Sequence, residues 1–418
     1  MPCITTVVLF AITMQLYALG LTLDPEHKPK NAPFLSASSV KVLWSSWCDA
    51  VIAHTDGVTS AVLYNGIGLT AGQRARLGDD AELKRAVDGE GRHAMFFGSS
   101  MHDGLRGYVL TDKSEEAMAQ KDELSATQQK VVLFATDLEM TNGIPEVQVF
   151  SVGEESPIIT KINFLSDESL MLVTRFRSTK LGLTTTMGDL SELRKQLSHP
   201  TSLLSEKFFL PQHRLQCVTN ATTATILDND RHVRTATNDP RYPKCLGRRY
   251  EENRDFAPVP YLSETSITKI VSGGYMSAAL SSEGELFLWG QACPGSKGEL
   301  SVLNENGAER DLPDGVSVEG EQDEFVKCLE VRIEGHEASV YDVAIGHGHI
   351  LVAAELLGSG RKNKRVVYAA GDNSRNQLGL GAEKNFLDTF EEVVVLRGKQ
   401  VAQLVAAGWS SFVVLLDK

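Results

Sequence analysis

The chain has 418 residues, 42% of them apolar, and a formal net charge of −13. That length suits one large domain or two ordinary ones. The acidic surplus excludes a sequence-independent grip on DNA or RNA, which Lys and Arg would have to make. Six scattered cysteines (Cys3, Cys48, Cys217, Cys245, Cys293, Cys328) contain no C-x-x-C pair, so neither a zinc nor a dithiol centre is expected. Buried free thiols of a reducing compartment are the expectation.

From Met1 to Leu23 there is no charged side chain. The run CITTVVLFAITMQLYALGL is apolar enough for a signal peptide or an anchor. No Lys or Arg forms a positive start to it, however, and Gln15 and three threonines dilute it.

Further along, one local pattern recurs. An apolar residue lies three before an anchor, a small polar or histidine residue three after it, and an apolar one six after it. In chain order the copies are Leu43, Ser46, Asp49 and Ile52; Val87, Glu90, His93 and Phe96; and a weak Val131, Phe134, Asp137 and Met140. Then come Cys217, Asn220, Thr223 and Ile226; Val271, Gly274, Ser277 and Leu280; Val343, Gly346, His349 and Val352; and Val405, Gly408, Ser411 and Val414. Anchors thus fall at 46, 90, 134, 220, 274, 346 and 408. A strand-bearing repeat of roughly 40–60 residues points to a propeller or a solenoid.

The second half of the unit is a turn, a strand with an aromatic, and a glycine. SSEGELFLWG shows it with Phe287 and Gly290, and KNKRVVYAAG with Tyr368 and Gly371. These segments resemble the regulator of chromosome condensation repeat family. The stretches VAIGHGHILVAAE, GELFLWG and VVYAAGDNSRNQLGLG carry the likeness, with Asn373, Gln377, Leu378 and Gly379 on the family's closing motif. The match is specific over 214–418, degenerate over 39–140 and faint over 141–213. A worn first half before a cleaner second half is closest in character to fungal alpha-tubulin suppressor-like proteins. The resemblance implies an all-β fold: a seven-bladed β-propeller of four-stranded antiparallel blades.

The C-terminal copy lacks its aromatic strand, and MQLYALG supplies it. Tyr17 aligns with Phe287 and Tyr368, and Gly20 with Gly290 and Gly371. The expectation is a ring over 14–418 closed by pairing Gln15–Gly20 with Phe412–Leu415, which removes an exposed edge. Residues 1–13 remain as an extension without a role. Three segments interrupt the repeat. Residues 111–130 are polar. Residues 188–211 place Leu190, Leu193 and Leu197 at helical spacing behind a possible Asp189 cap. Residues 299–338 hold twelve carboxylates and three basic residues, a net −9, and read as a solvated, dispensable loop or a docking arm for a basic partner.

No nucleophile elbow, phosphate loop or dinucleotide fingerprint appears, so no catalytic, cofactor or metal residue is assigned and no enzyme is expected. His347 and His349 stand two apart and would share one strand face, but no third ligand is near. Asp49 and His93 fall in the same repeat slot as His349. Partner contacts are expected at Trp44, Trp47, Tyr275, His347, His349 and Trp409, since aromatics dominate binding hot spots. The resulting reading is a monomeric, non-enzymatic scaffold for protein partners in cytoplasm or nucleus, off membranes and nucleic acid. The alternatives are a guanine nucleotide exchange factor for a small GTPase, as some family members are, and a secreted or lumenal propeller using residues 1–20 as a signal.

Overall fold

The computed structural model describes residues 13–20, 32–47, 49–88, 92–99, 104–113, 127–153, 156–165, 169–176, 181–198, 208–211, 216–228, 230–237, 239–252, 256–304, 314–318, 323–357, 363–381 and 383–417. Seven antiparallel sheets stand around one axis. The chain opens with β1 (Thr13–Gly20) and β2 (Leu35–Ala37), which belong to the last blade. Blade 1 is β3 (Ser39–Ser45), β4 (Asp49–Thr55) and β5 (Ser60–Gly66). Blade 2 is β6 (His93–Ser99), β7 (Gly104–Thr111), β8 (Gln129–Phe134) and β9 (Val147–Val152). Blade 3 is β10 (Ile158–Phe164), β11 (Leu170–Arg175), β12 (Leu181–Met187) and β13 (Phe208–Pro211). Blade 4 is β14 (Gln216–Thr219), β15 (Thr223–Leu227), β16 (Val233–Thr237) and β17 (Ala257–Pro258). Blade 5 is β18 (Ile267–Gly273), β19 (Met276–Ser281), β20 (Leu286–Gly290), β21 (Gly315–Val318), β22 (Val326–Ile333) and β23 (His336–Glu337). Blade 6 is β24 (Ser339–Ile345), β25 (His349–Leu356), β26 (Lys364–Asp372) and β27 (Phe386–Glu392). Blade 7 takes β28 (Gln400–Ala406) and β29 (Ser410–Asp417), then β1 and β2. The first strand of each blade lines the axis, and each touches the next, with β28 returning to β3.

Blade 7 answers how the C-terminal strand is paired. The ladder runs from Thr13 opposite Asp417 to Gly20 opposite Ser410, with Tyr17 opposite Val413. Phe287 opposite Ala279 and Tyr368 opposite Val352 hold the same register in blades 5 and 6. At the end of this strand Gly20, Gly290 and Gly371 all have positive φ (96°, 117° and 100°). A Cβ at any of them would overlap a carbonyl oxygen of the facing hairpin, that of Trp409, Tyr275 or Gly348. One strained position explains one recurring glycine.

The structure corrects two repeat copies. The segment through Val87, Glu90, His93 and Phe96 is a helix followed by β6, and His93 sits opposite Thr111, at the far end from the hairpin. The segment through Phe134 is β8, the third strand of blade 2. The true third blade lies in 141–213, where its first hairpin, closed by Leu165 N to Ser169 O, has no glycine to reveal it.

Blade 1 has three strands, and two helices stand where a fourth would be. Thr70 and Gln73 form a reciprocal cap on α1 (Ala71–Asp79), and Asp80 caps α2 (Ala81–Val87) through the Glu82 and Leu83 amides. Leu77 and Leu83 are buried, so the helices cover the β5 edge. A short α3 (Asp137–Thr141) follows blade 2. The helix expected near 190 is α4 (Leu190–Ser198). Its Asp189 carboxylate accepts the Glu192 amide, and Leu190, Leu193 and Leu197 pack on blades 2 and 3. Glu139 of α3 is clamped between Arg106 of blade 2 and Arg194 of α4.

The acidic segment is not a dispensable loop. Within it β22 pairs with β20, Leu286 opposite Leu329, and completes blade 5, with β21 and β23 added outside it. Val326, Leu329, Val331 and Ile333 are buried. The alternation of Leu329, Val331 and Ile333 with Glu330 and Arg332 in VKCLEVRI is a strand signal that the surrounding carboxylates mask. Residues 114–126, most of the expected insertion at 111–130, residues 305–313 and 319–322 of the acidic segment, and residues 1–12 lie outside the described residues.

Removing residues 323–333 should therefore abolish soluble expression. It strips four buried side chains worth about 1.5–3 kcal/mol each, against a typical total of about 5–15 kcal/mol. Tyr17→Asp should be as damaging, because Tyr17 is buried against Leu378, Val413 and Leu415. Urea melts and soluble yield are the measurements, and a midpoint unchanged in either variant would contradict the assigned pairing.

Candidate functional site

The hairpins between the first and second strands all open on one face, around an axial cavity of about 230 Å³. Every blade contributes to its wall, from Trp44 and Trp47 of blade 1 to Gly408 of blade 7, and among the described residues no charged side chain lines it. Phe164, Asn163, Thr219 and Asn220 supply an aromatic, amide and hydroxyl lining.

The expected partner residues separate into four groups. Trp47, His347 and Trp409 come together from blades 1, 6 and 7. Trp47 meets His347 edge-on at 4.6 Å between ring centroids and lies tilted at 4.8 Å from Trp409. All three are half-buried. The Trp47 indole lies over Gly408, where any side chain would displace it. Arg375, on the loop after β26, sets its guanidinium 5.3 Å from the Trp409 ring centroid. Trp44 lines the cavity and packs on the core shared by blades 1 and 2. Tyr275 stands apart and packs edge-on against Tyr242 at 4.9 Å.

His349 is no surface residue. It is fully buried at the start of β25, and its Nε2 lies 2.9 Å from the Ser411 hydroxyl of blade 7. His347 sits in the turn and His349 in the strand, so the two do not share an exposed face, as their spacing implied. Burial pushes the His349 imidazole down to about 4, against the opposing pull of Asp372. Burial lowers His347 as well. The repeat slot is architectural. Asp49 accepts from Tyr64 and from the Leu105 amide of blade 2, at 2.8 and 3.0 Å. Asn220 donates to Ser277 of blade 5 at 3.2 Å. Cys217, Cys245 and Cys293 are buried free thiols, and Cys328 is a half-buried one.

A second set of polar residues had no sequence assignment. Gln216, Lys269, Asp342 and Gln403 stand four residues before their hairpins, on the axial strands. Each reaches the next blade. Gln403 donates to the Val42 carbonyl and accepts its amide, both at 2.9 Å. Gln216 does likewise with Thr268 and Ile270. Lys269 reaches Asp342 and the Val343 carbonyl, and Asp342 accepts the Leu404 amide. A single polar residue in LQCV, TKIV, YDVA and AQLV was the available signal.

No family model matches the chain. Over 224 residues, 53% of its length, it is 26% identical to a human protein named probable E3 ubiquitin-protein ligase HERC6, and the match spans 18% of that protein. Yeast RCC1 (Prp20), in a crystal structure bound to Kap60, superposes with a TM-score of 0.56 at 11% identity, over 97% of this chain and 90% of that one. Prp20p from Saccharomyces cerevisiae gives 0.55 at 11% identity over 98% and 92% of the two chains, and human WBSCR16 gives 0.51 at 10% over 97% and 99%. The fold is thus a seven-bladed β-propeller. It is of the RCC1-like kind, as the repeat motifs implied.

The buried imidazole makes stability depend on pH. Below about 6.5 the unfolded chain takes up a proton that folded His349 refuses until about pH 4. Stability is therefore level above that window and falls as pH drops through it, by up to about 3 kcal/mol. Glu139, held down at about 2 by Arg194, Thr136 and Arg106 against its burial, acts only at lower pH. Urea midpoints between pH 8 and 4 should show the slope, and His349→Asn should reduce it, most visibly in a His347→Asn background. An equal slope in all variants would remove His349 as its source.

Proposed function

We propose that this propeller is a non-enzymatic interaction platform whose docking face is the mouth of the axial cavity. One observation carries the reading: Trp47, His347 and Trp409 converge from three blades and remain half-exposed. Packing alone would not leave two indoles at the surface beside an uncharged cavity, and aromatics of this kind anchor protein partners. The solved neighbour Prp20p was characterised for its binding to Gsp1p and histones, which makes protein partners a natural expectation for this fold. Ligase activity belongs to the name of HERC6, of which the match spans 18%.

The acidic segment contributes less to docking than its charge implies. Glu324, Glu330 and Glu334 pair with Arg249, Arg332 and Lys364. Asp323 accepts the Phe325 and Val326 amides. Four of its described carboxylates are thus engaged within the propeller. Among the described residues no helix is long and apolar enough to cross a membrane.

Proteins captured by the wild type and by Trp47→Ala and Trp409→Ala variants should differ. Partners of the axial face are expected to fall at least tenfold in recovery while the thermal midpoint of Trp409→Ala moves by only a few degrees. Identical capture profiles would refute the face. Nucleotide release from a panel of small GTPases should not accelerate; acceleration would replace this reading with an exchange factor.

A further inference from the structure

We infer that the axial face takes a partner segment bearing a carboxylate next to a large uncharged side chain, with the carboxylate on Arg375. The inference rests on the platform reading and specifies its partner. Arg375 is exposed, with its guanidinium carbon over the Trp409 ring at 5.3 Å from the centroid. Among the described residues it makes no ion pair. Asp372, at the end of β26, is already engaged by the Ser374 amide and hydroxyl and by Gln377 Nε2. Arg241, stacked on Tyr242 in the same manner, is by contrast closed by Asp239 at 2.7 Å.

A guanidinium stacked on an indole keeps its in-plane N–H edge available, and that edge matches a carboxylate with two parallel hydrogen bonds. Stacking also fixes the long side chain beforehand, so less freedom is lost on binding. The loop that carries it is rigid. Asn373 is buried and donates to the Gly381 and Lys384 carbonyls, and Gln377 accepts the Arg375 amide. An exposed guanidinium with no ion pair among the described residues stands out in a chain of net charge −13, where carboxylates are plentiful. Beside it, across Trp409 and Trp47, the cavity offers room and an uncharged lining. Among the described residues of that lining a basic side chain would meet no carboxylate, whereas an aromatic or aliphatic one would meet Trp44 and Phe164. Charge complementarity and the neutral cavity together define the acidic–apolar pair.

Selection of a random twelve-residue peptide display library on the full chain tests this. Enriched peptides should place Asp or Glu within two positions of an aromatic or large aliphatic residue. Their affinity should fall tenfold or more in Arg375→Glu, less in Arg375→Lys, and should weaken from 50 to 500 mM salt as exposed charges are screened. Thermal melts of the exposed Arg375 variants should match the wild type. Enrichment of basic or uncharged motifs, or of none, overturns the inference. Binders that lose affinity in Trp409→Ala but not in Arg375→Glu leave the platform and remove the acidic partner. Binders indifferent to both remove the platform as well.

Discussion

In blades 4 to 7 the axial strand carries a polar side chain across the blade boundary, and the joining of those blades depends on it. In blades 5, 6 and 7 that residue follows a register shift in the strand, between Ile267 and Lys269, Val340 and Asp342, and Val401 and Gln403. The shift breaks the ladder within the blade and turns the next side chain sideways. The neighbouring strand has its own shift, which leaves amides and carbonyls without ladder partners. Val42 precedes such a break in blade 1 and receives Gln403. Where buried backbone groups must be satisfied, an irregularity in one blade is answered by a side chain of the previous one. Gln129 of blade 2 performs the same service for Ile159, the residue before the break in blade 3.

This device separates two duties. Blade faces meet through apolar clusters that tolerate drift, which is why Leu, Val, Ile and Phe exchange freely along the repeat. The polar ties do not need a constant residue either, only a group able to reach the next strand. Gln, Lys and Asp all occur. Identity is thereby free to wander while geometry is held, and the hairpins above the ties can vary without disturbing the ring. The aromatic cluster at the axial mouth sits on three such hairpins.

Legibility in the sequence followed the glycines. Blades 5, 6 and 7 have a strained residue at the end of the third strand, so Gly290, Gly371 and Gly20 mark the unit, and the clasp between the ends of the chain could be read from them. In blades 3 and 4 the facing positions are Met187 and Thr237. Without the strain there is no glycine, and without the glycine the unit vanishes into ordinary alternation. The helices beside blade 1 were overlooked because a strand pattern was imposed on LKRAV, although Thr70 with Gln73 forms a recognisable cap. The strand within the acidic segment was overlooked because net charge was allowed to outweigh the period-two pattern in VKCLEVRI. At the site, residue type named Trp47, His347 and Trp409 without showing that they meet, and it could not separate His347 from buried His349, because burial there is decided by Gly346 of the same hairpin and Ser411 of blade 7.

The clasp has a consequence for synthesis. Gln15 and Asp417, hydrogen-bonded in the finished ring, are 402 residues apart in the chain. At about 5–20 residues per second, β1 leaves the ribosome on the order of 20–80 s before β29 exists. Throughout that interval a strand rich in Leu, Tyr and Met has both hydrogen-bonding edges available to other chains. Nascent copies of this protein on one messenger are therefore the most exposed to mispairing, with β1 of one chain taking the β29 of another, and a linked pair of rings that have exchanged clasps is the misassembly this topology favours.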